Sequence, residues 1–297
     1  MRCWIVVNGA LKDHKFQELH QFIKVAAEKQ QVQATIIPNH HLMPMIKNHT
    51  LALGCQSTTP DFVLFMDKDI YLANFLEKCH LRVFNSATAI DQCDNKMKTS
   101  IALASAKIDM PTTILAPFIY EGMTFSDQTF LDNAARELGY PLIIKEAYGS
   151  FGEQVYLIHN EQELLLKVAE LGHKPFLLQK FISSSYGKDI RINIVGNKFV
   201  AAMLRENKHN FRANANQGGT LSPYTPTTTQ INLAIKATAA VGADFAGVDL
   251  LFGPKGPLVC EINSNSHLLN IYYTTGINVA DAIIEYCVAK VHEEECF

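Results

Sequence analysis

The sequence predicts a chain of mixed class, α/β followed by α+β, on three observations. Between Ile5 and Phe84, short apolar runs alternate with segments of helical period, the pattern of a small parallel sheet with helices on its faces. The middle of the chain reads as two strands around a glycine-bearing loop, flanked by helices. The last third carries four strand-like runs, two of them joined by Gly196-Asn197, a strong hairpin turn signal.

In order, Ile5 to Val7 form a short buried-type strand that breaks at Asn8-Gly9. Phe16, Leu19, Ile23, Ala26 and Ala27 recur at helical spacing, and Val32, Ala34 and Ile36 alternate as a strand. Phe62 to Met66 form another apolar strand. Leu72, Phe75, Leu76 and Cys79 predict a helix, and Leu81 to Phe84 a strand after it. His40 to Thr59 has neither period and is read as irregular. From Asn85 the character changes: a helix through Lys98 to Lys107 ends before Pro111, and a second from Leu131 to Leu138 is closed by Gly139-Tyr140-Pro141. Pro141 to Lys145 and Gln154 to Ile158 are strands around Gly149-Ser150-Phe151-Gly152, followed by a helix from Glu161 to Leu171 and a strand from Phe176 to Gln179. Beyond it, Ile190 to Val195, Phe199 to Arg205, Val248 to Phe252 and Leu258 to Asn263 are strand-like, and Ile231 to Val241 and Val279 to Val291 helical. Pro223, Pro226 and the threonine run beside them mark an exposed connection. The division expected is 1–89, 90–180 and 181–297.

The 297 residues, 48% of them apolar, suffice for two or three compact units. A net charge of −3 argues against broad binding to nucleic acid or membrane surface, both of which need basic excess. Seven scattered cysteines without a CxxC pair suggest neither a disulfide framework nor a zinc ribbon, and fit a reducing compartment. No run approaches the ~18 apolar residues of a membrane span, and the apolar start is too short for a signal peptide. The expected location is the cytoplasm.

The strongest chemical feature is Gly247-Val248-Asp249 followed, after a hairpin-length gap, by Glu261-Ile262-Asn263. Residues two apart on a strand share a face, so Glu261 and Asn263 project together. With Asp249 on the adjacent strand, three hard oxygen ligands converge, as magnesium prefers. Solvent-facing carboxylates at strand ends are the plain alternative, which the apolar flanks weaken. Lys145 closes an apolar strand before the glycine loop 149–152, an arrangement suited to phosphate oxygens. An ordinary glycine turn would look the same, and no P-loop or GxGxxG is present. Asp189 and Arg191 share one strand face, Arg205 ends the next strand, and Arg212 and Asn214 precede Gly218-Gly219. Three arginines near a magnesium site match the needs of phosphoryl transfer, although surface ion pairing is the common alternative. Lys96 taken alone is indistinguishable from a solvated helix lysine.

Together and in this order, these residues resemble the RimK-like branch of the ATP-grasp superfamily. The carrying segments are CDNKMKT, PLIIKEAYGSFGEQV, LQKFISSSYGKDIRINIVGNKFVAAMLR, FRANANQGG, AGVDLL and CEINSN. The resemblance implies an ATP-grasp fold: an N-terminal pre-ATP-grasp parallel-sheet domain, a central lid domain and a C-terminal antiparallel-sheet domain. It also implies an ATP-dependent carboxylate–amine ligase working through an acyl-phosphate. Lys96, Lys145 and the loop Gly149, Ser150, Phe151 and Gly152 would meet ATP phosphates. Gln179, Lys180, Phe181 and Ile182 would line the adenine, and Asp189 would hold the ribose. Arg212 and Asn214 would lie near the terminal phosphate. Asp249, Glu261 and Asn263 would bind one or two Mg2+ ions, with Mn2+ able to substitute. Arg205 would steady developing charge and Arg191 would grip a substrate carboxylate. Implied partners are ATP with small-molecule carboxylate and amine substrates, or a peptide or protein acceptor, and a homo-oligomer is compatible.

Three departures stand out: Lys180 where glutamate-adding relatives carry an acid, Ser264-Asn265-Ser266-His267 in place of Ser-Pro-Gly, and the uncharged Ser183-Ser184-Ser185-Tyr186. The last two lie close to the acceptor side and leave the added amino acid open. His267 is a candidate substrate contact. Cys260, next to Glu261, is expected to face the other side of its strand. Two alternatives remain at this level: a ligase of small metabolites only, like the D-alanine–D-alanine enzymes, and a nucleotide-binding regulatory protein without turnover.

Overall fold

The computed structural model describes residues 1–54, 58–123, 125, 127–150 and 152–295. The first unit runs β1 (Arg2–Val7), α1 (His14–Lys29), β2 (Gln33–Pro38), β3 (Pro44–Lys47), β4 (Thr50–Leu53), β5 (Phe62–Met66), α2 (Ile70–Lys78) and β6 (Val83–Phe84). Its main sheet has the order β2-β1-β5-β6 with every pairing parallel. The segment read as irregular contains the β3–β4 hairpin. Its two-residue turn is Asn48-His49, both at positive φ. That is hairpin-turn geometry without the glycine that usually announces it, and the exposed four-residue strands have no buried alternation to betray them.

The next stretch comprises α3 (Ala87–Asp94), α4 (Lys96–Ser105), β7 (Thr113–Leu115), α5 (Gln128–Leu138), β8 (Leu142–Glu146), β9 (Val155–Ile158), α6 (Glu161–Leu171) and β10 (Phe176–Lys180). Ser86 caps α3 by accepting from Ala89 N–H, and Asn95 caps α4 by accepting from Met97 and Lys98. Strands β7-β10-β8-β9 form an antiparallel sheet. One apolar cluster, built on Leu142, Ile144, Phe176 and Leu178, seals α5 and α6 onto it.

The final part contains β11 (Lys188–Val195), β12 (Lys198–Glu206), β13 (Thr220–Pro223), α7 (Thr228–Ala240), β14 (Phe245–Gly253), β15 (Gly256–Asn263), α8 (Leu268–Thr275) and α9 (Val279–Glu295). The sheet order is β13-β12-β11-β14-β15, antiparallel throughout. The parallel sheet at the N-terminus and the antiparallel sheet at the C-terminus are those the sequence predicts. One face of the C-terminal sheet buries Ile190, Ile192, Val248 and Ile262 against α7 and also against Ala89, Cys93, Leu103 and Ile108. Another cluster joins Ile5, Ile23 and Leu64 to Met203, Phe245, Leu269 and Ile284, so the two ends of the chain share a core.

Candidate active site

Register across the C-terminal sheet builds the floor of the site. Asp189 on β11 stands opposite Arg205 on β12, and Arg191 opposite Asp249 on β14. Asp249 in turn stands opposite Glu261 on β15, and Asn193, Gly247 and Asn263 form the next row. Alternation keeps all these positions on one face. The Arg205 Nε and Nη2 donate to the two oxygens of Asp189 at 2.5 and 2.7 Å, and the same Nη2 lies 2.8 Å from Asp249 Oδ2. Arg191 donates Nε and Nη2 to Asp249 at 2.6 and 2.7 Å. Two guanidinium groups thus balance two carboxylates, and Arg205, Asp189 and Asp249 are all buried. Burial alone would raise the Asp249 pKa, but the guanidinium groups of Arg191 and Arg205 outweigh it and hold the carboxyl below its ordinary value.

The β14–β15 pairing shifts register between Asp249 and Leu250: Asp249 pairs with Glu261, whereas Leu250 already pairs with Val259. Cys260 is the extra residue of this bulge. The expectation that it faces away from Glu261 is therefore corrected, because a bulge breaks the two-residue alternation. Cys260 and Glu261 both line the cleft, and Cys260 Sγ lies 3.6 Å from Lys145 Nζ. Burial pushes the thiol pKa up.

The opposite wall comes from the central sheet. Lys145 projects from β8, buried, with Nζ 3.5 Å from the Cys260 carbonyl oxygen. Lys96, the first residue of α4, donates to the Gly149 carbonyl at 3.3 Å and lies 3.4 Å from Glu261 Oε1. The glycine loop touches two further parts of the chain. A Cβ at Gly152, where φ is 75°, would meet Asn214 Oδ1 at 2.8 Å. Ser150 Oγ receives a hydrogen bond from Lys68 Nζ at 3.1 Å, and Lys68 also pairs with Asp94. Lys68 follows β5 in the N-terminal sheet, and nothing local in the sequence pointed to it.

Behind this, Gln179, Lys180, Phe181 and Ile182 pass from β10 into the connection to β11 and line the cleft with Ile143, Val155 and Leu251. The serine-rich segment stitches this hinge to β14: Ser184 Oγ donates to the Phe252 carbonyl at 2.6 Å, and Phe252 N–H donates to Ser185 Oγ at 3.0 Å. Uncharged hydroxyls suffice there because their partners are backbone groups. The loop after β12 folds back on itself at Gly219, where a Cβ would collide with the Ala213 carbonyl oxygen. The fold-back presents Arg212 and Asn214 to the cleft. Arg212 lies 4.5 Å from the Phe211 ring centroid, donates Nη2 to the Val155 carbonyl, and keeps its buried Nε without a partner.

Of the residues singled out by sequence, Lys96, Lys145, Gly152, Gln179, Lys180, Phe181, Ile182, Asp189, Arg205, Arg212, Asn214, Asp249 and Glu261 line one cleft. Arg191 stands beside it through Asp249, and Asn263 lies one row further along the sheet. Gly149 and Ser150 lie at the loop tip, joined to Lys96 and Lys68. Phe151 lies outside the described residues. Cys260, Lys68 and the apolar wall formed by Ile143, Val155 and Leu251 were not found by motif, since apolar cleft residues look like core in a sequence.

A model of the RimK-like ATP-grasp domain matches residues 93–287. The chain belongs to the RimK-like ATP-grasp family. A probable alpha-L-glutamate ligase of Mannheimia succiniciproducens is 31% identical over 288 residues, covering 91% of this chain and 93% of that protein. A ribosomal protein bS6–L-glutamate ligase of Salmonella paratyphi B is 34% identical over 215 residues, covering 71% of this chain and 69% of the other. Among solved structures, a D-alanine–D-alanine ligase from Bacillus anthracis complexed with ATP superposes with a TM-score of 0.73 over 99% of both chains. At 17% identity it shows the shared fold.

ATP-grasp enzymes use ATP and Mg2+, and the donor set here suits both. The unpartnered Arg212 Nε is a buried N–H in need of an acceptor oxygen, and Lys96 and Lys145 stand across the same cleft. Among the described residues no three His, Cys, Asp or Glu side chains form a ready metal cluster. Asp249 and Glu261 could offer two carboxylates and Asn263 an amide oxygen, since Mg2+ at phosphates takes its remaining ligands from substrate and water. No helix among the described residues is long and apolar enough to cross a membrane.

Proposed function

We propose that this ATP-grasp ligase joins a carboxylate to an amine through an acyl-phosphate, adding an amino acid to a small-molecule, peptide or protein acceptor. The observation that supports it most is the row Arg205–Asp189, Arg191–Asp249–Glu261 facing Lys96 and Lys145 across one cleft. The adenine would lie against Ile143, Leu251 and the hinge from Gln179 to Ile182. Asp189, which also pairs with Arg205, would hold the ribose. Lys96, Lys145, Arg212 and the glycine loop would bind the phosphates, with Asn214 at the terminal one.

Asp249, Glu261 and Asn263 would hold one or two Mg2+ ions, which when bound neutralise phosphate charge; Mn2+ would serve in the same place. A substrate carboxylate oxygen attacks the γ-phosphorus, and the bond from that phosphorus to the β–γ bridging oxygen breaks to release ADP. The amine nitrogen then attacks the acyl carbon, inorganic phosphate leaves, and the amine's proton passes to solvent. No protein nucleophile is required. Positioning and charge stabilisation by Arg205 and the lysines carry the catalysis. Arg191, held by Asp249, would turn towards a substrate carboxylate once that carboxylate engages a cation. The division at 89/90 and 180/181 belongs to this reading, with 90–180 as the lid.

The test is Mg2+-dependent ADP release across a panel of amino acids, dipeptides and carboxylates, with product masses read afterwards. Stimulated release with a new amide mass is expected. Tight nucleotide binding without stimulation by any member would point to a protein acceptor or to the regulatory alternative, and the same assay with a protein extract added as acceptor separates the two.

A further inference from the structure

Gln179 is held by one end of its amide and open at the other. It lies on β10 between Thr113 on β7 and Ile143 on β8. Phe176 and Leu178 on the same strand pack into the apolar cluster with α5 and α6. Alternation therefore turns Gln179 to the opposite face, where it lines the cleft with Ile143, Phe181, Ile182 and Leu251. Its Nε2 donates to Thr113 Oγ1 at 2.9 Å. Among the described residues no group donates to its Oε1, and that atom is not sealed off from solvent. A free acceptor thus opens onto the cleft among apolar neighbours, where an unmade hydrogen bond is costly.

Which end of the amide faces the cleft is decided one hydrogen bond further back. Thr113 Oγ1 donates to the Pro111 carbonyl at 2.8 Å. A carbonyl oxygen only accepts, so the single hydroxyl proton of Thr113 is committed to Pro111, and towards Gln179 the hydroxyl has only lone pairs. The reversed amide would set Oε1 at 2.9 Å from an oxygen with no proton left to give. The relay from Pro111 through Thr113 to Gln179 therefore keeps Nε2 inward and Oε1 towards the cleft. A purine with an amino group at C6 brings a donor to that oxygen. A purine with an oxo group at C6 brings lone pairs against lone pairs.

We infer that Thr113 is the positioning residue for nucleobase choice: through the Gln179 amide it presents the base with an acceptor alone, and so selects a 6-amino purine over a 6-oxo purine. This rests on the reading that places the base at the hinge from Gln179 to Ile182. Thr113 does not itself line the cleft, and its hydroxyl acts from behind the contact. Without that hydroxyl nothing holds the amide in one orientation. It can then turn over and offer an N–H to a 6-oxo group as well.

The experiment titrates the full chain, with Mg2+, against ADP, IDP and purine riboside diphosphate, which carry an amino group, an oxo group and a hydrogen at C6. The parent should bind ADP about tenfold or more tightly than the unsubstituted purine, and IDP more weakly than either. Thr113→Val should narrow the ratio of ADP to IDP affinity about tenfold, while Thr113→Ser, which keeps the hydroxyl, should hold the parent's ratio. IDP also differs at N1, but that difference is the same in parent and variants, so the change in ratio reports C6. A purely structural effect would weaken all three nucleotides together. Thr113→Ala puts the same question should the valine variant not fold. Gln179→Leu should erase the preference for ADP over the unsubstituted purine. If it does so while the ratio in Thr113→Val and Thr113→Ala stays at the parent's value, the base remains at the hinge and the role of Thr113 is overturned alone. Survival of the preference in Gln179→Leu would show that the base does not meet Gln179, and the hinge reading would fall with it.

Discussion

Asn85 and Phe245 are hydrogen-bonded to each other in both directions: Asn85 Oδ1 accepts from the Phe245 N–H at 3.2 Å while Nδ2 donates to the Phe245 carbonyl at 2.9 Å. The same amide also accepts from Asp244 N–H at 2.6 Å and donates to the Ser264 carbonyl at 3.1 Å. One buried side chain therefore ties the exit of the N-terminal sheet to the start of β14 and to the turn after Asn263. Asn85→Ala strands backbone groups at all these points and is expected to cost about 2–4 kcal/mol, read by denaturant unfolding. A loss under half of the lower figure would show that the tie is dispensable.

Arg205 is as much a structural group as a catalytic candidate. Arg205→Ala leaves Asp189 and Asp249 buried with one guanidinium between them, which should destabilise by about 3–5 kcal/mol. Lost turnover in that variant would say little about chemistry. Arg205→Lys keeps the charge without the bidentate fork, so it should fold more nearly normally and still lose most ADP release at retained ATP affinity. Turnover close to the parent's in Arg205→Lys would remove the transition-state role.

Glu261 lies across the cleft from Lys96, 3.4 Å from its Nζ. Glu261→Gln should reduce Mg2+-dependent ADP release by about a hundredfold or more, as loss of a charged metal ligand does. In the parent, Mn2+ should support release in place of Mg2+. Activity of Glu261→Gln that is unchanged at every Mg2+ concentration would sink the metal assignment.

Cys260 gives a direct report on the cleft. Its raised pKa predicts slow alkylation at neutral pH that accelerates as pH rises. ATP or ADP with Mg2+ should block the reaction, measured by peptide mass spectrometry. Labelling of Cys260 at the same rate with and without nucleotide would place the nucleotide elsewhere.

Stability should fall on mild acidification. His20 is buried beside Asp67, and burial lowers its pKa and that of His267 from 6.5. The unfolded chain then binds more protons than the fold between pH 6.5 and the lower folded values. The melting temperature should therefore hold above about pH 7.5 and decline through pH 6, before most carboxylates titrate. His20→Leu with His267→Leu should flatten that decline, and an unchanged decline in the double variant would assign it to other groups.

The sequence by itself determined the family, the fold class and the order of the candidate residues along the chain. Local periodicity gave the strands and helices, and residues two apart gave the shared face of Asp189 and Arg191 and of Glu261 and Asn263, because that alternation is a property of a single strand. The fold class and family followed from the order of these segments. Only the tertiary structure decided which charges meet. Asp189 faces Arg205 and Asp249 faces Glu261 through hairpin registers, each with a shift, and Arg191 meets Asp249 only because β11 pairs with β14, 58 residues away. The bulge that turns Cys260 into the cleft exists only relative to β14, so no rule applied to one strand finds it. Lys68 reaches Ser150, and Asn85 reaches Phe245, across separations of 82 and 160 residues. Such contacts have no local signature because their energy comes from burial and satisfied hydrogen bonds, which arise only when distant segments pack together.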